Sequence, residues 1–430
     1  MLWLYRLIFL PGLALSAPYY LWRMRRRGGY GENFRQRFGE HHAPRRRPGV
    51  RRIWLQAVSV GEMLAIGPLL EGLHRAGVEV YLTTTTSTGY KMAGERYRRL
   101  TLGIGYFPID WAPFSARAWR GIDPDLALLT EGERWPEHLA QARRRRVPVL
   151  AINGRISDRS YARMMLFPPA AHLMVGGLAR VLPASAQDAE RFAALGVPAD
   201  RIAPPGNIKL DVEIPLLDEA ARARLRHELG LPEGLVLLGS STWPGEEEAV
   251  LEAWRRARSA GLQVSLLLVP RHAERRGEIE ARLRGGGLRI HFRSRGAALS
   301  AADVAVGDTT GELRQFTQLA DLVFVGKSLP PHTEGQTPVE AAALGRAILL
   351  GPGMGNFRQI ADELLERGAA RAVRDPAELA EQASELLRDG TRRAAMAEAA
   401  AAWRRENAGA LARTLAAVEA ALAAAPRIQG

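Results

Sequence analysis

From residue 52 onward, short unbroken apolar runs alternate with stretches in which apolar residues recur every three or four positions. The runs at 53–58, 78–83, 102–108, 126–129, 148–152, 173–175 and 181–184 predict strands, and the spaced stretches between most of them predict amphipathic helices. Strands that are apolar at every position are buried on both faces, which is the state of a parallel sheet covered by helices. After Pro204-Pro205-Gly206 the pattern starts again, with runs at 235–239, 265–269, 288–292, 304–306, 322–325 and 347–350. The chain therefore reads as two doubly wound α/β halves. We place an apolar, basic-flanked terminus at 1–28, a first Rossmann-like domain at 29–205 and a linker at 206–216. A second such domain follows at 217–400, and a helix at 401–430 that the sequence permits to return to the first half.

Residues 2–22 are apolar except for Arg6 and Ser16 and carry Trp3, Tyr5, Tyr19, Tyr20 and Trp22 toward their ends. Arg23, Arg25, Arg26 and Arg27 follow at once. The charge-free part is shorter than the roughly 20 residues needed to span a bilayer, and Pro11-Gly12 and Pro18 are expected to interrupt a helix. The segment is read as a membrane anchor inserted in one leaflet, with the arginines holding the rest of the chain on the cytoplasmic side. Counting charge by position supports this. Of a net charge of +13, residues 1–52 contribute +10, from twelve arginines set against Glu32 and Glu40. A basic excess confined to one end beside an apolar segment suits anionic lipid head groups rather than nucleic acid. Arg35 and Arg37 belong to the same basic stretch, and His41-His42 is expected to be solvated within it. The absence of cysteine excludes disulfides, thiolate metal sites and cysteine nucleophiles.

In an open α/β sheet, ligands bind at the carboxyl ends of the strands. Ala57-Val58-Ser59-Val60-Gly61-Glu62 stands at such an end, before an apolar helix. The Ser59-x-x-Glu62 spacing is that of a capping box, and it also fixes a lone carboxylate where a general base is needed. Glu131 and Glu133, in Thr130-Glu131-Gly132-Glu133-Arg134-Trp135-Pro136, follow the run at 126–129 and form a second carboxylate turn, one of the two being expected to cap the next helix. In the second half, Ser240 and Ser241 follow the first strand and Arg271-His272 the second. Thr309, Thr310, Gly311 and Glu312 are expected to open a helix whose N–H groups hold a phosphate, and Glu340, after Gln336 and Pro338, to accept the hydroxyls of a ribose. Asn207 and Lys209 lie between the halves. Lys209 stands out because this chain holds only Lys91, Lys209 and Lys327 against 56 arginines. No histidine pair has zinc spacing on a helix, and Asp123-Pro124-Asp125 reads as a turn, so no metal is expected. Two Rossmann-like halves facing each other across a cleft are the architecture of the GT-B glycosyltransferases. A dinucleotide-dependent dehydrogenase would instead show Gly-x-Gly-x-x-Gly after its first strand, where this chain has Ser-Val-Gly-Glu.

The ordered set of motifs resembles the bacterial Kdo transferases of lipopolysaccharide synthesis over nearly the whole chain. It comprises Gly29-Tyr30-Gly31-Glu32-Asn33-Phe34-Arg35-Gln36-Arg37-Phe38-Gly39, Ser59-Val60-Gly61-Glu62, Glu131-x-Glu133-x-Trp135-Pro136 and Gly206-Asn207-Ile208-Lys209. Pro270-Arg271-His272, Gly307-Asp308-Thr309-Thr310-Gly311-Glu312-Leu313 and the Glu340 block complete it. The resemblance implies a GT-B fold with an N-terminal membrane-anchoring helix, at the cytoplasmic face of the inner membrane. It implies transfer of Kdo (3-deoxy-D-manno-octulosonic acid) from CMP-Kdo to the lipid A precursor, with inversion and with no cofactor or metal.

Carried over residue by residue, Glu62 is the general base and the Glu131 and Glu133 turn is the second functional carboxylate. Asn207, Lys209, Ser240, Ser241, Arg271, His272, Thr309, Thr310, Gly311, Glu312, Gln336 and Glu340 bind the donor. Arg23, Arg25, Arg26, Arg27, Arg35 and Arg37 face the acceptor's phosphates and the anionic membrane. The chain departs from the family where Gly-Gly-His-Asn-Pro-x-Glu is replaced by Glu334-Gly335-Gln336-Thr337-Pro338-Val339-Glu340, which puts the ribose-side contacts in question. Its Glu131-Gly132-Glu133-Arg134-Trp135-Pro136 keeps the carboxylates of the usual Glu-Thr-Glu-Leu-Trp-Pro. Two other readings stay open: a GT-B enzyme with a UDP-sugar donor, and a membrane-bound binding protein without activity.

Overall fold

Every residue of the strands Arg52–Gln56 (β1), Glu79–Thr84 (β2), Leu126–Thr130 (β4) and Val149–Gly154 (β5) is buried. With Gly103–Tyr106 (β3) and Arg180–Pro183 (β6) they form one parallel sheet in the order β3-β2-β1-β4-β5-β6. Alternate residues serve opposite faces, so one core holds Ile53, Leu55, Val80, Leu82, Leu126 and Leu128 and another holds Trp54, Tyr81, Ala127 and Leu129. That is the physical meaning of the unbroken apolar runs.

The computed structural model describes residues 1–26, 31–211, 214–283 and 287–425. It divides into two compact units, Met1–Asp211 with Asn407–Gly430, and Val212–Glu406. The second unit holds Leu235–Thr242 (β7), Val264–Pro270 (β8), Ile290–Phe292 (β9), Val304–Val306 (β10), Leu322–Val325 (β11), Ala347–Leu350 (β12) and Ala370–Ala372 (β13). They too are all parallel, in the order β13-β12-β11-β7-β8-β10-β9. In each sheet the strand order reverses beside the first strand: between β1 and β4 in one unit, and between β7 and β11 in the other. Each reversal opens a crevice at the strands' carboxyl ends.

The run at 173–175, expected as a strand, belongs instead to the helix Pro168–Val175. Three apolar residues do not distinguish helix from strand, and Pro168 and Pro169 preset the first turn of a helix. Pro11 and Pro18 do not interrupt the N-terminal helix either, which runs unbroken over Leu2–Arg26. A proline removes one i to i−4 bond, and a 25-residue helix keeps its remaining ladder. No described helix is long and apolar enough to cross a membrane. On this helix Trp3, Leu7, Ile8, Leu15, Tyr19 and Trp22 are exposed, while Tyr5 donates to Asp110 Oδ2 at 2.8 Å and Arg6 forms a two-pronged pair with Glu137 at 2.7 and 3.0 Å.

The basic stretch is less free than its composition suggests. Arg46 and Arg51 pair with Asp125, and Arg47 and Arg52 with Glu79. Arg37, expected at the membrane side, is buried and donates to the Phe107 carbonyl at 2.6 Å, because its helical turn packs Phe38 edge-on against Phe114. Arg35 is exposed. Arg27 lies outside the described residues, as do the side chains of Arg23, Arg25 and Arg26. His41 is buried rather than solvated: its ring meets Tyr81 and Trp54, and burial pushes its pKa down to about 4.

The C-terminal helix Ala410–Ala424 lies on the first unit, with Ala410, Ala417, Val418 and Leu422 in the core that also holds Ile53 and Leu55. Asp211 caps its start, accepting from Gly409 N at 3.0 Å and Leu411 N at 2.7 Å. Leu422→Ala is therefore expected to destabilise the first unit by about 3 kcal/mol, the usual cost of emptying a buried leucine site. Urea unfolding checks this, and an unchanged midpoint would contradict the packing.

Candidate active site

Glu62 sits in the first turn of the short helix Val60–Ala65, whose cap is Ser59. Ser59 Oγ accepts from Glu62 N at 3.2 Å and donates to Glu62 Oε1 at 3.0 Å, and the N–H of Val58 donates to Oε2 at 3.0 Å. The return bond of an ordinary capping box ends on the cap residue's own N–H, whereas here it ends one residue earlier. Thr130 Oγ1, at the end of β4, adds a bond to Oε2 at 2.5 Å. Both oxygens are thus oriented by the crevice between β1 and β4. A carboxylate has about four acceptor directions; from the described residues Oε2 receives two bonds and Oε1 one, so a direction on Oε1 stays open among them. The residue keeps 8% of its surface exposed.

β4 continues into the second carboxylate turn. Glu131 adopts φ 45°, a left-handed conformation uncommon outside glycine, and Asn153 at the end of the neighbouring β5 adopts φ 50°. Such strain recurs at functional sites. The Glu131 carboxylate pairs with Lys209 Nζ. Asn153 faces Glu131 Oε1 at 3.5 Å and accepts from Ile208 N at 3.1 Å. Asn207 Oδ1 accepts from Lys209 N at 3.0 Å, which fixes the turn from which the lysine reaches back. A methyl group built on Gly61 would stand 4.0 Å from Lys209 Nζ, so the ammonium also lies over the turn that carries Glu62. Glu133 points into the protein, accepting from Trp135 Nε1 at 2.8 Å and Gln56 Nε2 at 3.3 Å. Burial raises its pKa above the ordinary carboxylate range, the charge of Glu62 adds to the rise, and the two bonds only partly oppose it.

Glu62, Glu131, Glu133, Asn207 and Lys209 therefore form one constellation in the first unit. The remaining candidates lie in the second. Ser240 and Ser241 are buried at the end of β7, where a register shift against β8 accompanies φ 54° at Ser241. Arg271 and His272 are exposed beyond β8, and the Arg271 guanidinium has no partner among the described residues. The His272 ring stands edge-on to Trp243 at 5.2 Å, and Lys327 Nζ lies 4.2 Å from the centre of the same indole. Glu246 accepts from the N–H groups of Trp243, Lys327, Ser328 and Leu329 at 2.7 to 3.0 Å. This buried carboxylate ties the turn after β7 to the turn after β11. Gln336 N bonds the Gly326 carbonyl at 2.9 Å. Glu340 has one oxygen 3.9 Å from Arg314, while its Oε2 is buried without a hydrogen-bond partner among the described residues.

The block Thr309-Thr310-Gly311-Glu312 does not open a helix as expected. Gly311 takes φ 92°, outside the helical region, so the helix starts only at Leu313 and ends at Thr317. Glu312 is engaged internally, bonded by Arg293 and Thr309. Burial pushes its carboxyl up, but these bonds and the arginine charge hold it below its ordinary range. Asp308 is likewise bonded by Ser294 and Arg276. Among the described residues no group of three or more His, Asp or Glu is placed to hold a metal ion. Thr130, Asn153 and Glu246 were missed in the sequence, since each acts through a tertiary partner far along the chain. Trp243 and Lys327 carried a weak signal as two rare residue types in strand-end turns.

Residues 32–212 match the family model described as 3-deoxy-D-manno-octulosonic-acid transferase (kdotransferase). The chain is 35% identical over 423 residues to the 3-deoxy-D-manno-octulosonic acid transferase of Bordetella pertussis, covering 95% of this chain and 97% of that one. Its identity to the Haemophilus influenzae protein of the same name is 29% over 418 residues, covering 95% and 93%. Among solved structures it resembles UDP-GlcNAc 2-epimerase from Neisseria meningitidis bound to UDP-GlcNAc, with a TM-score of 0.52 and 12% identity over 86% of this chain and 100% of that one. At that identity the likeness is one of fold, the GT-B class of two parallel-sheet α/β domains.

Because the raised pKa of Glu133 lies above its unfolded value, its ionisation costs stability as pH rises through the folded pKa, and the cost vanishes once both states are protonated. Glu133→Gln keeps an acceptor for Trp135 and removes the charge. The variant is expected to melt higher than the wild type at neutral pH, with the difference shrinking toward zero in acid. A variant that melts lower at neutral pH, or a difference independent of pH, would contradict the burial argument.

Proposed function

The chain belongs to the 3-deoxy-D-manno-octulosonic acid (Kdo) transferases and transfers Kdo, and from that premise we propose its substrates and the residues that carry the reaction. The donor is CMP-Kdo and the acceptor is the glucosamine disaccharide of a lipid A precursor. Glu62 accepts the proton of the acceptor hydroxyl as that oxygen bonds to the anomeric carbon of Kdo. The bond from that carbon to the CMP phosphate breaks with inversion, and its electron pair leaves with CMP. The observation that carries this reading is the Glu62 carboxylate, oriented by Ser59, Val58 and Thr130 and left with one open acceptor direction on Oε1. Glu133, with its raised pKa, is the second functional carboxylate, and Glu131 holds Lys209 in place.

In the second unit, Arg271 meets the departing phosphate, because an exposed guanidinium with no partner among the described residues is ready for an anion. Glu340 Oε2 is an acceptor with no hydrogen-bond partner among the described residues, and it takes the ribose hydroxyls. Ser240, Ser241, His272 and Gln336 line the same sheet edge. The charge that develops on CMP is met by these side chains, so the reaction is proposed to need no metal and no cofactor. The exposed apolar face of the N-terminal helix, with Trp3, Leu7, Ile8 and Leu15, inserts partway into the cytoplasmic leaflet of the inner membrane, where the acceptor lies. Arg23, Arg25, Arg26, Arg27 and Arg35 answer the phosphates there.

General base catalysis is worth roughly 10² to 10⁴ in rate. Glu62→Gln is therefore expected to lower kcat by about that factor while CMP-Kdo binding, measured by calorimetry, stays as in the wild type. Full activity in that variant would remove Glu62 from the mechanism. Transfer to a detergent-dispersed lipid A precursor, read by mass spectrometry, is expected to survive EDTA and to be inhibited by CMP rather than UDP. Inhibition by UDP alone would point to a UDP-sugar donor, and loss of activity in EDTA that Mg²⁺ restores would contradict the metal-free reading.

A further inference from the structure

Arg6 is the one charge inside the apolar N-terminal segment, and membrane insertion gives no reason for it. Its guanidinium grips Glu137 with Nε at 2.7 Å and Nη2 at 3.0 Å, and the Glu137 side chain is 0% exposed. One residue earlier, the Tyr5 hydroxyl bonds Asp110 Oδ2 at 2.8 Å. Asp110 is itself buried, and its two oxygens accept from the backbone N–H groups of Glu137 and His138 at 2.9 Å each. Those N–H groups belong to the first turn of the helix Pro136–Arg145, whose cap residue is Trp135. Trp135 in turn donates its indole N–H to Glu133 at 2.8 Å. An unbroken series of bonds thus runs from Tyr5 and Arg6, through Asp110 and Glu137, to the start of the helix that follows the second carboxylate turn.

We propose that Tyr5 and Arg6 are positioning residues for the Glu131–Trp135 turn, so that the apolar N-terminal helix completes the active site as well as attaching the protein to lipid. The physical requirement is clear at both carboxylates. Without Arg6, Glu137 keeps only Gln141, at 2.6 Å, as a side-chain partner among the described residues, and a buried carboxylate stripped of its cation drives rearrangement around it. Without the Tyr5 hydroxyl, Asp110 loses the donor that fixes the oxygen facing Glu137 N. Either loss loosens the first turn of Pro136–Arg145 and with it Trp135 and Glu133. At 3.6 residues per turn the exposed Trp3, Leu7 and Ile8 fall on one side of this helix and Tyr5 and Arg6 on the opposite side, so one face meets solvent or lipid while the other meets the protein. Seating of this helix is thereby coupled to the order of the catalytic turn.

The inference rests on the reading of Glu133 as a functional carboxylate. Full-length Tyr5→Phe and Arg6→Met are assayed with CMP-Kdo and a detergent-dispersed lipid A precursor, below the melting temperature of every variant, alongside flotation on vesicles of phosphatidylglycerol and phosphatidylethanolamine. The expected result is a fall in kcat of roughly tenfold or more, the scale of a small displacement of a catalytic group. KM for CMP-Kdo and vesicle flotation are expected to be unchanged, with recovery of kcat in Arg6→Lys, which keeps the charge. Wild-type kcat in both variants on the dispersed acceptor, or a loss that tracks only the unfolded fraction in thermal melts, would overturn the proposal and reduce the helix to an attachment device. Wild-type kcat in Glu133→Gln, assayed in parallel, would instead sink the reading of Glu133 on which the inference stands.

Discussion

The bond from Thr130 Oγ1 to Glu62 Oε2 joins the end of β4 to the helix that follows β1, across 68 residues of sequence, the two strands being adjacent in the sheet. Much of the first unit is arranged so that this bond can form. It requires the order β3-β2-β1-β4-β5-β6, which brings β1 and β4 together only because the strand order reverses there. It also requires Ser59 to stop the chain after β1 and turn it into a helix. The same reversal places Glu131 and Glu133 beside Glu62, with Lys209 offsetting one of the three charges and burial raising the pKa of another. Three carboxylates in one crevice are tolerated because each has a different electrostatic solution.

Charge is managed in the same way elsewhere. The basic excess near the N-terminus, which composition assigns wholly to an anionic surface, is in part an internal matter: Arg46, Arg47, Arg51 and Arg52 neutralise Asp125 and Glu79 at the start of the strands. The arginines left for the proposed membrane contact are concentrated before residue 36. In the second unit, Glu246 turns a single buried carboxylate into the brace of the β7–β11 crevice by accepting four backbone N–H groups. That arrangement leaves the side chains of Trp243, Lys327 and His272 clustered around one indole, at the edge where a Rossmann-like sheet binds its ligand.

Much of the fold was legible because parallel strands buried on both faces leave unbroken apolar runs, and runs of four or more residues identify themselves. The failures share a cause. The run at 173–175 was too short for its periodicity to decide, and β13, three residues with Arg371 in the middle, leaves almost no apolar trace. Pro11 and Pro18 signal a break that the N-terminal helix does not have, since each removes one bond from a long ladder. At the site, Glu62, Glu131 and Glu133 were visible as strand-end carboxylates. Thr130, Asn153 and the partners of Arg6 were not, because each is defined by a residue that only tertiary structure brings near. Gly311 shows the converse: its sequence context suggested a helix start, and its backbone conformation moved that start beyond Glu312.

In the proposed reaction the Glu62 carboxylate itself takes the acceptor proton, rather than capping a helix near some other base. Chemical rescue addresses this directly. Glu62→Ala removes the carboxylate and leaves space that a small acid can enter, so transfer of Kdo to a detergent-dispersed lipid A precursor is measured with increasing sodium formate. The expected result is a nearly inactive variant whose rate rises with formate, with no such rise in Glu131→Ala. Transfer by Glu62→Ala at the wild-type rate without formate would contradict it.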